Sequence, residues 1–330
     1  MGVVEDLDPV ARCLQELGVE VDAKSLAKVS TLHRAVVLGT LTKFGDYREF
    51  VNDTDAYGLT PLHYATLLGN VEAVRDLVEL GADPNVRDNT KNGFSSLHVA
   101  AKRGNIEITT AFLRIPTIKL DLKASKNGTA LHLCTRQGHV SVAKLLIDAG
   151  SDVNAVDSKG RCPHHLIGES LCFEECESFV NILCDEKNVN LPDASGRTPV
   201  QYACMFGNRP LVDILLKKGA DVNAVDKRGL NVIHYAIMGL TVGVDSGVGS
   251  CLASILSKDP KLDVDKRSRA PTPFQALETL LSSRQWRKGE DTALRVGYGQ
   301  LKKHAEKFHA DAIAAELLSE EQQKRKSRGK

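Results

Sequence analysis

The chain has 330 residues, with Lys+Arg 43 against Asp+Glu 42 and a formal charge of +1. That balance excludes an argument from total charge for nucleic acid or an acidic substrate, so only the distribution of charge can inform. No apolar run approaches the roughly 20 residues needed to cross a bilayer, and the cysteines (Cys13, Cys134, Cys162, Cys172, Cys176, Cys184, Cys204 and Cys251) lack the spacing of a secreted disulfide framework. The expectation is a soluble chain with reduced thiols, cytoplasmic or, through its basic C-terminal residues, nuclear.

Residues 1–29 read as a leading helical cap, with Asp8-Pro9 at its start and Val10, Leu14 and Leu17 on one face. A first unit opens at Thr31-Leu32-His33-Arg34-Ala35. The next is complete: Thr60 caps a helix whose first turn accepts Pro61, and Gly69 ends it. An amphipathic helix from Val71 to Leu80 follows. Val71, Val74, Leu77 and Val78 fall at helical spacing, and Glu72, Arg75, Asp76 and Glu79 lie between them. Gly81 breaks that helix, and Asn85 leads into a turn.

The same marks return at Leu97-His98, Leu131-His132, Pro163-His164-His165, Pro199-Val200-Gln201 and Ile233-His234, and more weakly at Gln275. Counted from His33, the marker positions differ by 30, 35, 34, 33, 36, 33 and 41 residues. A single unit of this kind cannot bury its own apolar faces, so recurrence is a condition of folding. The fifth unit is irregular, because Glu169 to Cys176 lengthens its turn region. The seventh contains a Gly-rich insertion, 239–249, expected as a loop. Residues 282–318 read as an irregular segment with Trp286 and then a C-terminal capping helix, and 319–330 as a basic, disordered tail.

The run Thr60-Pro61-Leu62-His63, its closing Gly81-Ala82-Asp83-Pro84-Asn85 and the period near 33 resemble the ankyrin repeat. By that resemblance, residues 30–281 form an array of eight repeats, six of them clear. The implied fold class is an all-α repeat solenoid of helix-turn-helix units with β-hairpin or turn tips and helical caps. The motif His is implied to bond between neighbouring turns, and Cys134 and Cys204 stand where the family places Ala, as small packing residues.

Partner contacts in this family fall on the hairpin tips and on the exposed end of the first helix. Carried over position by position, the helix side comprises Leu67, Leu68, Lys102, Arg103, Arg136, Met205 and Phe206. The tips comprise Tyr57, Lys91, Lys126, Lys159, Arg161, Arg197, Lys227 and Arg228. This nearly single-sign row favours a protein partner with an acidic segment, met by a monomer, without membrane or nucleic acid. The implied role is an adaptor or scaffold. The alternative is a regulatory inhibitor or assembly chaperone that occludes a partner such as a transcription factor or a proteasome subunit.

Six of the ten His occupy the motif, leaving His139, His164, His304 and His309. None pairs with a Ser or Cys nucleophile in a recognisable arrangement, so no catalytic residue and no cofactor are expected. Cys162, His164, His165, Cys172, Cys176 and Cys184 gather zinc-type ligands in the fifth repeat, and Cys172 and Cys176 are spaced to share a helix face. The absence of a Cys-x-x-Cys pair and the motif role of His165 point instead to packing, so no metal is expected. An enzyme or zinc-binding protein built on that repeat is the alternative of another class. Gly243 to Ser250 lacks the Lys of a phosphate loop.

Overall fold

In a computed structural model of the chain, residues 28–40, 44–126, 128–169 and 175–241 are described, with residues 10, 11, 15, 251, 254 and 255. Most of the leading helix, residues 242–249 of the Gly-rich insertion, the weak last repeat, the segment 282–318 and the basic tail lie outside the described residues. The chain divides into two compact units, one formed by Met1–Leu166 and Ser170–Leu183, the other by Ile167–Glu169 and Cys184–Lys330.

The first unit contains α1 (Thr31–Leu38), a 3-10 helix (Phe44–Phe50), α2 (Pro61–Leu68), α3 (Val71–Glu79), α4 (Ser96–Arg103), α5 (Ile106–Leu113), α6 (Ala130–Gln137), α7 (Val140–Asp148) and α8 (Cys176–Leu183). The first helices α1, α2, α4 and α6 pack side by side in chain order, and the second helices α3, α5, α7 and α8 do the same. Leu62, Leu97 and Leu131 from the first row meet Val74, Leu77, Ile108, Phe112, Val142 and Leu146 from the second, all essentially without solvent contact. Each such side chain contributes about 1.5–3 kcal/mol relative to exposure.

The turns between paired helices follow from two residues. Gly69 and Gly104 close α2 and α4 at φ 69° and 71°, a left-handed conformation that L side chains resist. The next residue starts the second helix: Asn70 Oδ1 accepts Ala73 N–H at 3.0 Å, and Asn105 Oδ1 accepts Ile108 N–H at 2.9 Å.

The second unit holds α9 (Pro199–Met205), α10 (Arg209–Lys217) and α11 (Val232–Thr241), with α9 packed on both partners. Asn208 repeats the capping device at Leu211 N–H, 3.0 Å. Among the described residues no strand forms, and a single antiparallel bridge joins Ala124 to Gly128. The tips are therefore turns. In the fifth repeat the expected first helix is a 3-10 helix, Pro163–Glu169, instead of an α-helix.

Candidate interaction surface

Most tips are built around one buried aspartate; at the tip that carries Lys126 the equivalent residue is Ala124, whose N–H donates to Gly128 O at 2.8 Å. Asp55 Oδ1 accepts the N–H groups of Tyr57 and Leu59 at 2.8 and 2.9 Å, and its Oδ2 accepts the Tyr64 hydroxyl at 2.8 Å. Asp157 accepts from Lys159 N–H and Arg161 N–H, at 2.8 and 2.9 Å. In the second unit Asp193 serves Ser195, Arg197 and the Tyr202 hydroxyl, and Asp226 serves Arg228, Leu230 and the Tyr235 hydroxyl. Burial pushes the carboxyls of Asp157, Asp193 and Asp226 upward, but these hydrogen bonds outweigh it and hold all three below the ordinary value of 3.8.

Neighbouring tips are stitched together. In the first unit Asn89 N–H donates to Tyr57 O at 2.7 Å, Ser125 N–H to Asn92 O at 2.8 Å and Ser158 Oγ to Lys126 O at 3.0 Å. In the second, Lys227 N–H donates to Ser195 O at 2.9 Å.

Behind the tips, the motif His reaches the next repeat's main chain. His33, His63, His98 and His132 donate from Nε2 to Leu59 O, Phe94 O, Gly128 O and Arg161 O at 2.9, 3.2, 3.3 and 2.9 Å. In the last three, Nδ1 accepts the N–H of the helix N-cap, Thr60, Ser95 or Thr129, and this fixes the tautomer. Burial drives His98 and His132 down to about 4, with the bonds to the carbonyls of Gly128 and Arg161 opposing it. Gln201 stands in the same place in the second unit: Oε1 accepts Thr198 N–H at 2.9 Å, and Nε2 donates to Leu230 O at 3.2 Å.

Against this frame the expected contact residues sort into groups. Lys91, Lys126 and Lys159 are exposed on three successive stitched tips of the first unit, and among the described residues none of them is in an ion pair. Tyr57 is half-buried beside them. Leu68, Lys102 and Arg103 are exposed at the C-terminal ends of α2 and α4, and Arg136 is half-buried at that of α6. Lys102 Nζ lies 5.6 Å from the Phe94 ring centroid, and His139 Nε2 donates to Lys102 O at 3.1 Å, which anchors that end of α4.

Two of the expected residues are turned inward. Leu67 is 6% exposed and Arg161 only 4%, its guanidinium held by Asp157 at 2.8–2.9 Å. Arg197 and Arg228 make the same pairing, with Asp193 at 2.8 Å and Asp226 at 3.2 Å, but keep solvent contact. With exposed Lys227 they line a cleft of about 460 Å³ whose other walls are Ala194, Ser195 and Asp226. Met205 and Phe206 are half-buried at the end of α9.

Among the cysteines, Cys134 and Cys204 are fully buried packing residues, and burial pushes the Cys134 thiol up to about 12. The tip aspartates were not singled out in the sequence, although Asp followed three residues later by Gly in Asp55-Ala56-Tyr57-Gly58, Asp157-Ser158-Lys159-Gly160, Asp193-Ala194-Ser195-Gly196 and Asp226-Lys227-Arg228-Gly229 is a signal that could have found most of them.

Stacked helix pairs with self-closed tips, each joined to the next by side chains reaching main-chain carbonyls, define a repeat protein of the all-α solenoid class. The "Ankyrin repeats (3 copies)" family matches residues 87–157 and 170–244, and "Ankyrin repeat" matches 57–89. The chain belongs to the ankyrin-repeat family.

It is 32% identical over 177 residues to "Putative palmitoyltransferase ZDHHC13" of Danio rerio, covering 53% of this chain and 26% of that protein. It is 32% identical over 197 residues to "Nuclear factor NF-kappa-B p105 subunit" of Gallus gallus, covering 58% and 19% respectively. With "NF-kappa-B inhibitor cactus" of Drosophila melanogaster it shares 28% over 174 residues, covering 51% and 32%. The chain thus spans a third or less of each of these relatives. Among solved structures, the ankyrin repeat domain of Bcl-3, described as a unique member of the IkappaB protein family, matches with TM-score 0.51 and 27% identity, over 65% of this chain and 98% of that one. No helix among the described residues is long and apolar enough to cross a membrane.

Proposed function

We propose that the chain is a non-catalytic protein-interaction module that receives an acidic segment of a protein partner along the tips and first-helix ends of its first unit. One observation carries this reading. The tip carboxylates of Asp88 and Asp157 face inward onto their own turns, and the tip between them has Ala124 in that place, while Lys91, Lys126 and Lys159 face water from adjacent, stitched tips. The cations of this edge are therefore not neutralised by an acid of their own tip, and their summed potential can steer an acidic partner. Leu68, with 46% of its surface exposed, and Lys102 supply short-range contacts behind them.

The experiment is a capture of partners by the full chain with cross-linking, followed by Lys91→Glu, Lys126→Glu and Lys159→Glu together. The triple variant is expected to keep its thermal stability and to lose partner affinity and its salt dependence. Binding as tight as the parent's at both low and high salt, or cross-links concentrated on α3, α5 and α7, would overturn the proposal.

A second reading is supported by the relative named as an inhibitor, cactus, and by the Bcl-3 domain of the IkappaB family. In it the bound chain covers its partner's functional surface. The captured partner's own activity separates the two: an adaptor leaves it intact, and an occluding inhibitor suppresses it in proportion to occupancy.

A further inference from the structure

The fifth repeat departs from its neighbours at two positions that meet. In the first four repeats the first-helix N-cap is Ser30, Thr60, Ser95 or Thr129, whereas here it is Cys162, and the helix it opens is a 3-10 turn. The residue before the motif His is Leu32, Leu62, Leu97 or Leu131 in those repeats and His164 here. His164 thus occupies a place in the first-helix row that its neighbours fill with a fully buried leucine. It is itself only 1% exposed, and neither of its ring nitrogens has a hydrogen-bond partner among the described residues. A buried imidazole without such bonds carries a desolvation penalty that a leucine would not.

What surrounds that ring is a set of metal ligands. Cys162 Sγ, a nitrogen of His164 and a nitrogen of His165 all lie within 4.8 Å of one another, and all three residues are buried. The two imidazoles stack with centroids 4.7 Å apart and planes at 27°. Cys162 Sγ donates to Asn154 O at 3.4 Å, a weak bond that a metal can replace. His165 has a standing partner, the Cys162 N–H on Nδ1 at 3.1 Å. Cys162 and His164 are therefore the ligands that a test must address.

We infer that Cys162, His164 and His165 form a buried binding site for a zinc-type divalent metal ion that braces the 3-10 turn of the fifth repeat. One thiolate and two imidazoles are the donors zinc prefers, with bonds of about 2.3 Å to sulfur and about 2.0–2.1 Å to nitrogen. Ligand atoms on such a tetrahedron are about 3.3–3.6 Å apart, so rotamer shifts near 1 Å complete the site. The fourth position belongs to a solvent-derived ligand. The metal displaces the Cys162 thiol proton to solvent and takes the one lone pair of each neutral His ring, His165 giving up its bond from the Cys162 N–H, so one proton leaves per ion bound. This site is independent of the cationic edge proposed for the partner.

The test uses the full chain, reduced and stripped with a chelator, then titrated with Co²⁺ and Zn²⁺. One equivalent of Co²⁺ is expected to raise a thiolate-to-cobalt charge-transfer band that Zn²⁺ abolishes. Zinc X-ray absorption of the parent chain is expected to fit one sulfur and at least two nitrogen neighbours. Cys162→Ser and His164→Asn should each weaken Zn²⁺ binding at least 100-fold with unchanged far-UV circular dichroism, while Cys176→Ser leaves it as it was. Where a variant fails to fold, alkylation of the parent chain decides, since bound zinc must protect Cys162. No metal-dependent thiolate band, a band that persists in Cys162→Ser, or a fit with two or more sulfurs overturns the assignment.

Discussion

Replacing His132 by Gln isolates what the motif imidazole contributes. In the parent, His132 Nδ1 accepts Thr129 N–H at 3.1 Å and Nε2 donates to Arg161 O at 2.9 Å. A protonated ring would set a second N–H against that of Thr129. Burial, only partly opposed by the carbonyl of Arg161, carries the ring from 6.5 to about 4. The folded state therefore binds this proton more weakly than the unfolded one. The stability so conferred is complete above pH 6.5 and is lost as the pH falls from 6.5 toward 4. At pH 5 the loss from this one ring is about 2 kcal/mol. Gln does not titrate, and Gln201 shows that it can make both bonds. In urea unfolding followed by far-UV circular dichroism, His132→Gln should lie within about 1 kcal/mol of the parent at pH 8, with a similar urea slope. Between pH 8 and pH 5 the parent should lose about 2 kcal/mol more than the variant. Parallel pH profiles for the two chains would refute the reasoning.

Asp193→Ala removes the acceptor for two N–H groups, a guanidinium and the buried Tyr202 hydroxyl, and should destabilise the second unit by about 3 kcal/mol. Tyr202→Phe added to it should then cost little more, and full additivity in urea unfolding would count against the clamp. Gly58→Ala and Gly39→Ala both force alanine to positive φ, but only at Gly58 would the new Cβ meet main chain, Asn89 N at 2.7 Å, while Gly39 has nothing within 4 Å. The Gly39 change should cost about 1 kcal/mol and the Gly58 change at least twice that, and equal shifts in thermal midpoint would refute the role of the close tip contact.

The architecture was legible because its marks are mechanical. Thr60, Pro61 and Gly69 each answer a requirement of a helix end, and a unit that satisfies them cannot stay single. The same logic fails where a side chain's fate depends on a partner brought near by a turn. Arg161 reads as an exposed tip cation, yet the turn closed by Asp157 folds its guanidinium inward. Leu67 and Leu68 are alike in sequence, but one helical step of about 100° separates a buried position from an exposed one. His164 groups in the sequence with zinc-type ligands that read as packing. The packing of the fifth repeat adds that its ring is buried without hydrogen bonds and has the Cys162 thiol alongside.

Many joints between neighbouring repeats are asymmetric in kind. Some tips meet main chain to main chain; in the other joints a particular side chain, a motif His or the tip serine Ser158, stands on one side and a peptide carbonyl that every residue carries on the other. Each repeat is therefore asked to keep its own outgoing group and is indifferent to most of the residue choices of the repeat that receives it. Exposed positions such as 91, 126 and 159 can change identity without the joints noticing. A chain assembled this way can retune what it recognises one tip at a time while its scaffold stays the same.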